Sequence, residues 1–219
     1  FGPGSRIGLN PSETTLAELA KHKGYATGIA GKWHLGDAPE FLPLRQRFDE
    51  WYGLPYSNDM WPRGYGRTDE SRKKMYPELP RIVNGHLMGY TRDWVDMDAL
   101  TSSQGLRAVR FIKDNAGKAQ PFFLYLAHVM PHVPIFASEK FKGRSALGLY
   151  GDVMEEMDWS VGAIMGALRR EGIDDRTLVI FSSDNGANPE FIEPLGSTGG
   201  LRGHKRMLYE GGTRTPLIV

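Results

Sequence analysis

The spacing of apolar residues along the chain predicts three amphipathic helices. In each of them hydrophobic side chains recur at intervals of three and four residues, which places them on one helix face. The first has Ser12 or Thr14 as a candidate N-cap and ends before Gly24, a common helix stop. The helical segments are 12–23, 101–115 and a longer one containing Met154, Met157, Val161, Ile164, Met165 and Leu168.

Three short apolar runs predict strands, at 25–30, 121–127 and 177–182. None shows the alternation of apolar and polar residues that marks a half-exposed strand, so we expect each to be buried on both faces. Such strands alternating with helices predict an α/β fold. Because crossovers between parallel strands are right-handed, helices should cover both faces of a mostly parallel sheet.

The stretch 36–96 departs from this pattern. It lacks clear periodicity, is rich in Pro, Gly, Trp and Tyr, and is much longer than an ordinary connection between elements. Its aromatic side chains need a surface to bury them, which disfavours a low-complexity linker. We therefore expect a long irregular excursion that carries function.

Composition narrows the class of protein. Hydrophobic residues make up 40% of the 219 residues and charged residues 24%, which is ordinary for a globular chain. The net charge is +1 and like charges do not cluster, so a nucleic-acid partner is not expected. No apolar stretch approaches the roughly 18 residues of a membrane span. The chain contains no cysteine, which excludes a thiolate metal site within it.

The two ends of the chain predict a fragment. The first residue is Phe1 and not Met, and Val219 closes an apolar run that has no turn or cap after it. We expect the chain to be truncated at both ends.

Polar residues follow all three predicted strands. The first strand leads into Gly31-Lys32-Trp33-His34, the second into His128-Val129-Met130-Pro131-His132, and the third into Ser183-Asp184-Asn185-Gly186. Ligands in open α/β sheets bind beyond the carboxyl ends of the strands. We therefore expect these three loops to converge on one site.

The loop after the third strand is a candidate cation site. Asp184 and Asn185 offer only oxygen ligands, which suit Ca²⁺ or Mg²⁺ better than Zn²⁺, although Asp-Asn-Gly is also a common turn sequence. Two such ligands are too few for a complete calcium shell. Pro131 lies between His128 and His132, which disfavours a helical zinc site despite their spacing.

The remaining polar groups predict an anion site. Lys32 follows a strand directly, where a solvated lysine is the alternative interpretation, and His34 and His132 stand at strand ends. The segment 196–205 lacks the Gly-Lys-Ser/Thr of a nucleotide-binding loop, and we expect it to present Lys205 to an anion. Lysines, imidazoles and a hard-cation anchor at one site favour sulfuryl or phosphoryl ester chemistry.

These motifs resemble segments of the sulfatase family. The run from Gly24 to Gly36 (Gly-Tyr-Ala-Thr-Gly-Ile-Ala-Gly-Lys-Trp-His-Leu-Gly) is similar to the second signature of that family. Further segments follow in the family's order, and the resemblance covers nearly the whole chain. They are Leu54–Asp59, Met130–Pro134, Phe181–Gly186 and Lys205–Gly212.

The resemblance implies an alkaline-phosphatase-like fold, with 1–219 forming one partial catalytic domain, and an activity, the hydrolysis of sulfate esters. It also implies Ca²⁺ and a formylglycine made from Cys, sometimes Ser, in a Cys-x-Pro-x-Arg motif. That motif is absent from 1–219, as is the Asp-Asp pair that supplies further calcium ligands in the family. We expect both to lie upstream of this span, so that the span alone would be inactive.

Residue roles follow from the resemblance by position. Lys32 and Lys205 would bind the sulfate group, and Ser57 matches a family position near it. His34 would contact the formylglycine hydroxyl. His132 would hydrogen-bond the ester oxygen and help the alcohol to leave. Asp184 and Asn185 would bind calcium.

Two other functions stay open at this point. Phosphatases and phosphodiesterases of the same superfamily usually carry His where this chain has Asn185, which favours a sulfatase. A non-catalytic sulfate- or glycan-binding relative would keep Lys32 and Lys205 and lack the nucleophile. The expected substrate is a small-molecule or glycan sulfate ester, and the family is often exported or lysosomal.

Overall fold

A computed structural model of the protein describes residues 1–63, 70–91, 93–191 and 195–219. The helices in these ranges are α1 Leu16–His22, α2 Glu70–Met75, α3 Trp94–Asp98, α4 Leu100–Ala116, α5 Gly148–Arg170 and α6 Glu210–Thr213. The strands are β1 Ala26–Lys32, β2 Glu50–Leu54, β3 Leu79–Val83, β4 His86–Thr91, β5 Phe122–Ala127, β6 Phe181–Ser182 and β7 Leu217–Ile218. Alternating helices and strands confirm the predicted α/β class.

The main sheet is mixed, with its parallel strands at one end and its antiparallel strands at the other. Its strand order is β4-β3-β2-β1-β5, and β1 pairs in parallel with both β2 and β5. The pairs β2–β3 and β3–β4 are antiparallel. These antiparallel strands fall within 36–96, so the expectation of an irregular excursion there is wrong in part: the stretch supplies β2, β3 and β4.

Helices cover both faces of the parallel part, as predicted. On one face α1 buries Ala17 in a cluster with Ile29 of β1 and Trp51 of β2. On the other face the ring of Phe111 in α4 lies against Gly28 of β1. All of β1 between its end residues is buried, which confirms the prediction for the first strand.

The other two predicted strands are more exposed than expected. Side chains of β5 are half-buried, and Tyr125 is 48% exposed. Of 177–182 only β6 is a strand; it pairs with β7 in a separate two-stranded sheet, and both of its residues are exposed. Leu178 and Ile180 are 74% and 59% exposed because no described element packs over them.

The first helix begins later than the sequence pattern predicted. Thr15, and not Ser12 or Thr14, is the N-cap of α1, and its side chain accepts a hydrogen bond from the Glu18 amide. The Thr15 hydroxyl also donates to the carbonyl of Gln46 at 3.2 Å, a contact with a distant residue that local spacing does not reveal. In the part of the chain that the structure describes, no helix is long and apolar enough to span a membrane.

Candidate functional site

The ends of β1 and β2 continue side by side and carry the first site residues. Beyond the last sheet pair, the amide of Trp33 donates to Leu54 O at 2.9 Å and that of His34 to Pro55 O at 3.0 Å. His34 adopts a left-handed backbone conformation with φ 59°, which is uncommon for a residue other than glycine. This run places Lys32 and His34 alongside Ser57, which is fully buried.

Two glycines allow the central strands to approach closely at this point. Gly31 of β1 is in register with Gly53 of β2 and with Ala127 of β5. A Cβ atom on Gly53 would lie 1.7 Å from the Gly31 carbonyl oxygen, and one on Gly31 would lie 1.8 Å from that of Ala127. The backbone that leads into Lys32 therefore requires glycine at both positions.

The loop after β5 brings His132 to the same place. The Nδ1–H of His132 donates to the carbonyl oxygen of Val133 at 2.6 Å, and Ser57 Oγ lies 3.4 Å from the same nitrogen. The peptide bonds before Pro131 and Pro134 are both cis. Because a carbonyl oxygen only accepts hydrogen bonds, Nδ1 carries the proton in neutral His132, and Nε2 is the atom that can gain one.

A shared hydrophobic core and one buried amide hold these two loops together. Leu54 and Tyr56 from the β2 side belong to the same buried cluster as Val129 and Met130 from the β5 side. The fully buried Asn58 donates from Nδ2 to the Pro134 carbonyl at 2.9 Å. The relative position of Ser57 and His132 is thus fixed by packing and by the hydrogen bond between the neighbouring Asn58 and Pro134.

Lys205 reaches the site from a loop near the chain's end. Its amide donates to Ala187 O at 2.9 Å, and the amide of Gly186 donates to Gly212 O at 3.0 Å. A Cβ atom on Gly186 would lie 1.9 Å from the carbonyl oxygen of Gly211, so these two segments touch through their backbones. The loop containing Asp184 and the loop containing Lys205 consequently form one unit.

Electrostatic interactions link the residues from all of these loops. Burial lowers the pKa of Lys32; the charge of Lys205 lowers it further, whereas Asp184 and Asp59 raise it. Burial and the Lys32 charge lower the pKa of His34 to about 4, so this imidazole is neutral at pH 7. The predicted convergence of the three loops is therefore present in the structure.

His132 stands in the same positive environment. Burial lowers its pKa, and the charges of Lys32 and Lys205 lower it further, whereas the Val133 carbonyl and Asp59 raise it. With no anion bound, the two lysines therefore favour neutral His132. A bound dianion would offset the lysine charges and make protonation of Nε2 easier.

The chemistry of the predicted calcium residues fits part of a calcium site. Asp184 is an exposed carboxylate, and Asn185 donates from Nδ2 to Gly186 O, which leaves its carboxamide oxygen for a cation. Among the described residues no three His, Cys, Asp or Glu side chains form a group able to hold a metal ion. The two residues thus supply the right type of donor but only a fraction of the six to eight oxygens that Ca²⁺ takes.

His128 has a structural position in spite of its place after β5. Its ring nitrogens lie 3.3 Å from Gln104 Oε1 of α4 and 3.1 Å from Ser160 Oγ of α5. Burial lowers its pKa to about 4. The His128 imidazole therefore connects α4 and α5 through its contacts to Gln104 and Ser160. Of the two histidines in this loop, only His132 faces the site.

Sequence reasoning missed the contribution of Asp59. This half-buried carboxylate lies in the loop after β2, with Oδ1 4.0 Å from His132 Nδ1. Its charge also raises the pKa of Lys32 and that of His34. The available signal was its place in Tyr-Ser-Asn-Asp, two residues after Ser57.

The fold and the site define a class of protein: an α/β domain in which loops after the strands bring lysines, imidazoles and oxygen ligands together. The Sulfatase family model matches residues 2–219, and the chain belongs to the sulfatase family. The structure also resembles the PsFucS1 sulfatase from Pseudoalteromonas sp., with a TM-score of 0.85 and 28% identity over 98% of this chain and 46% of that chain. The expected alkaline-phosphatase-like fold is thereby confirmed.

Two curated relatives match at similar identity. N-acetylgalactosamine-6-sulfatase from Rattus norvegicus is 37% identical over 97% of this chain and 40% of its own length. Arylsulfatase A from Homo sapiens is 37% identical over 99% of this chain and 44% of its own length. The chain therefore spans less than half the length of these relatives. The individual roles of Lys32, His34, Ser57, His132, Lys205, Asp184 and Asn185 stay predictions.

Proposed function

We propose that the full-length protein containing this chain hydrolyses sulfate esters. The observation that carries the proposal is the meeting of Lys32, Lys205 and His132 at one sheet edge, where the charge of each lysine acts on the imidazole. Two cations suit the sulfate group, whose negative charge is delocalised over its terminal oxygens. An imidazole beside them suits the ester oxygen, on which charge develops as the S–O bond breaks.

Each residue then has a distinct part. Lys32 and Lys205 bind and orient the sulfate, and the hydroxyl of the buried Ser57 lies near it. His34, neutral at pH 7, can accept or donate one hydrogen bond at the reacting end of the sulfate. His132 Nε2 delivers a proton to the alcohol oxygen as it departs.

The family implies a formylglycine nucleophile and Ca²⁺. We propose that Asp184 and Asn185 contribute oxygen ligands to this calcium and that further ligands and the formylglycine-bearing motif come from sequence outside 1–219. Calcium would supply positive charge at the sulfate oxygens when bound.

The substrate class is proposed from the relatives. N-acetylgalactosamine-6-sulfatase is named for a sulfated sugar, which favours a glycan sulfate ester over other small-molecule esters. An exported or lysosomal location is the matching proposal, because the family is often found there.

The test is a leaving-group series. In the full-length protein, kcat/KM would be measured for sulfate esters whose alcohols have graded acidity, from an activated nitrophenyl sulfate to a sugar sulfate. General acid assistance is worth about 10²–10⁴ in rate and matters most for a basic leaving oxygen. His132→Ala should therefore slow the sugar sulfate far more than the nitrophenyl sulfate.

Lys205→Ala is the matched variant in this series. Lys205 is proposed to bind the sulfate whatever the alcohol, so this variant should slow all the esters to a similar extent. Equal losses along the series for His132→Ala would contradict its role as an acid. A wild-type protein that binds sulfated glycans without hydrolysing any ester would instead favour the binding-protein alternative, and one that turns over only phosphate esters would favour the phosphatase alternative.

A further inference from the structure

Asp59 is an unusual residue for a site that binds an anion. It places a negative charge beside two lysines proposed to hold a sulfate, and it would repel that sulfate. Its Oδ1 is buried and accepts no hydrogen bond from any residue that the structure describes. A buried carboxylate oxygen left unpaired is costly, which points to a charged group that Asp59 serves.

The nearest cationic candidate in the loop opposite is His132. Asp59 Oδ1 lies 4.0 Å from His132 Nδ1, a distance at which opposite charges attract appreciably. The charged groups that act on this imidazole are Lys32 from the end of β1, Lys205 from the loop before α6, and Asp59 from the loop after β2. His34, the other titratable neighbour, is held neutral. Of these charges only that of Asp59 favours an imidazolium.

The loop that carries Asp59 is fixed on both sides. Its neighbour Asn58 is tied to Pro134 in the His132 loop. Arg72 of α2 donates to the backbone carbonyls of Asp59 and, at 3.2 Å, of Trp61. The Asn58 and Arg72 side chains thus hold the Asp59 backbone near His132 through contacts to backbone carbonyls. Neither contact uses the carboxylate oxygens of Asp59.

We infer that Asp59 is a positioning residue for His132, whose carboxylate favours the imidazolium that donates from Nε2 to the departing alcohol. The inference rests on the proposed sulfate ester hydrolysis. In that step the S–O bond to the alcohol breaks and its electron pair stays on the alcohol oxygen, which takes the Nε2 proton. The sulfuryl group would be transferred to an oxygen nucleophile supplied from outside 1–219, whose hydroxyl proton would go to a base there, and His132 would be left neutral with its proton on Nδ1.

The tautomer explains why a second charge is needed. Nδ1–H is committed to the Val133 carbonyl, so Nε2 carries a proton only when the ring is cationic. Inorganic sulfate carries two negative charges and a sulfate ester one, so either offsets the lysine charges in full or in part, and the attraction of Asp59 then adds to that effect in favouring the imidazolium. The carboxylate should therefore matter most with sulfate in the site.

The test measures the protonation of His132 directly. Ring signals of the chain labelled at its histidines would be followed by NMR as a function of pH, with and without inorganic sulfate, and His132 assigned by loss of its signal in His132→Gln. An opposite charge at this distance shifts a pKa by about 1 or more. Asp59→Asn should lower the His132 pKa by about that amount with sulfate present, and Asp59→Glu should restore it in part.

Asp37→Asn is the matched control. Asp37 is a half-buried carboxylate whose Oδ1 is also buried without a partner, but it is not among the groups that act on His132. This variant should leave the His132 pKa unchanged. Circular dichroism of each variant checks that the fold is retained.

Kinetics of the full-length protein give a second readout. Because the acid must be protonated, kcat, which reports the enzyme with substrate bound, should fall as the pH rises past the His132 pKa, and Asp59→Asn should move that fall to lower pH. An Asp59→Asn variant with an unaltered His132 pKa overturns the inference, even if the wild type hydrolyses sulfate esters. A uniform rise in KM at unaltered pKa also overturns it and makes Asp59 a substrate contact. A lowered pKa in a protein without sulfatase activity supports the pairing and contradicts the proposed function.

Discussion

The two halves of the candidate site rest on very different supports. Lys32 ends β1, and Ser57 and His132 follow β2 and β5; these three strands form the parallel part of the main sheet. Asp184 and Asn185 follow β6, an exposed strand of two residues that pairs only with β7. Within the described residues, Lys32, Ser57 and His132 are supported by a buried core, whereas Asp184, Asn185 and the Lys205 loop joined to them lie beside a small exposed sheet.

The difference indicates which part of the chemistry the chain can hold in place by itself. Side chains set on packed elements keep their geometry without a ligand. Those on an exposed two-stranded sheet have few contacts that oppose local opening. We therefore expect the anion half to be ordered before substrate arrives, and the cation half to gain order from its ligand and from the rest of the full-length protein.

The sharpest test of this contrast is a pair of leucines truncated to alanine. Leu54 at the end of β2 is 1% exposed and lies in the largest buried cluster, whereas Leu217 of β7 is 65% exposed. Truncating a buried leucine typically costs about 2–5 kcal/mol of unfolding free energy, and an exposed one less than about 0.5 kcal/mol. Urea unfolding of Leu54→Ala and Leu217→Ala measures both, and similar losses would remove the contrast.

The next largest effect should come from the close approach of β1 and β2. In Gly53→Ala the new Cβ meets the Gly31 carbonyl, a backbone atom that cannot move aside cheaply. Overpacking of this kind typically lowers the free energy of unfolding by up to about 3 kcal/mol. Gly117→Ala is the control, since a Cβ at Gly117 meets nothing within 4 Å and its φ is −84°. If thermal or urea unfolding finds both variants equally stable, the account of this strand pair is wrong.

The buried half should also make the protein sensitive to acid. The pKa of His128 is about 4 when folded, against 6.5 for a free imidazole. Between these values the unfolded chain binds a proton that the folded chain does not, so this stability is complete above pH 6.5 and lost as the pH falls toward 4. For this buried group the loss between pH 7 and pH 5 is about 2 kcal/mol.

His128→Gln tests this effect because glutamine does not titrate and can still hydrogen-bond to Ser160. The variant should lose less stability than the wild type on going from pH 7 to pH 5. His22→Gln, at an exposed position, should behave as the wild type. An identical pH dependence for the wild type and His128→Gln would assign the acid sensitivity to other groups.

Much of the fold follows from the sequence where local pattern and tertiary burial agree. The apolar run of β1 and the periodicity of α4 and α5 reflect faces that are buried in the structure. The burial of 177–182 was overestimated because Leu-Val-Ile-Phe has the composition of a buried strand. Burial itself depends on neighbouring elements, which the sequence pattern does not reveal. The sequence pattern did not predict β2 because its apolar run is short, begins after Glu50 and is interrupted by Gly53.

One missed element did have a local signal. Asn84 and Gly85 form the two-residue turn between β3 and β4, and both have positive φ. Asn-Gly between two extended segments is a strong sign of a hairpin. The role inferred for Asp59 had no comparable signal, because it arises from a distance to His132 across 73 residues of chain, and only the folded structure brings the two together.

The central claim is that Lys32, Ser57, His132 and Lys205 form one anion site, with its β1, β2 and β5 half already in place. The most direct measurement is a titration of the protein with inorganic sulfate. The readout is the position of the backbone amide signals of these four residues in NMR spectra. All four should shift together with a single dissociation constant, which Lys32→Ala should weaken and Lys23→Ala, at an exposed lysine, should leave unchanged. Signals that do not move, or that move with separate constants, would contradict the account.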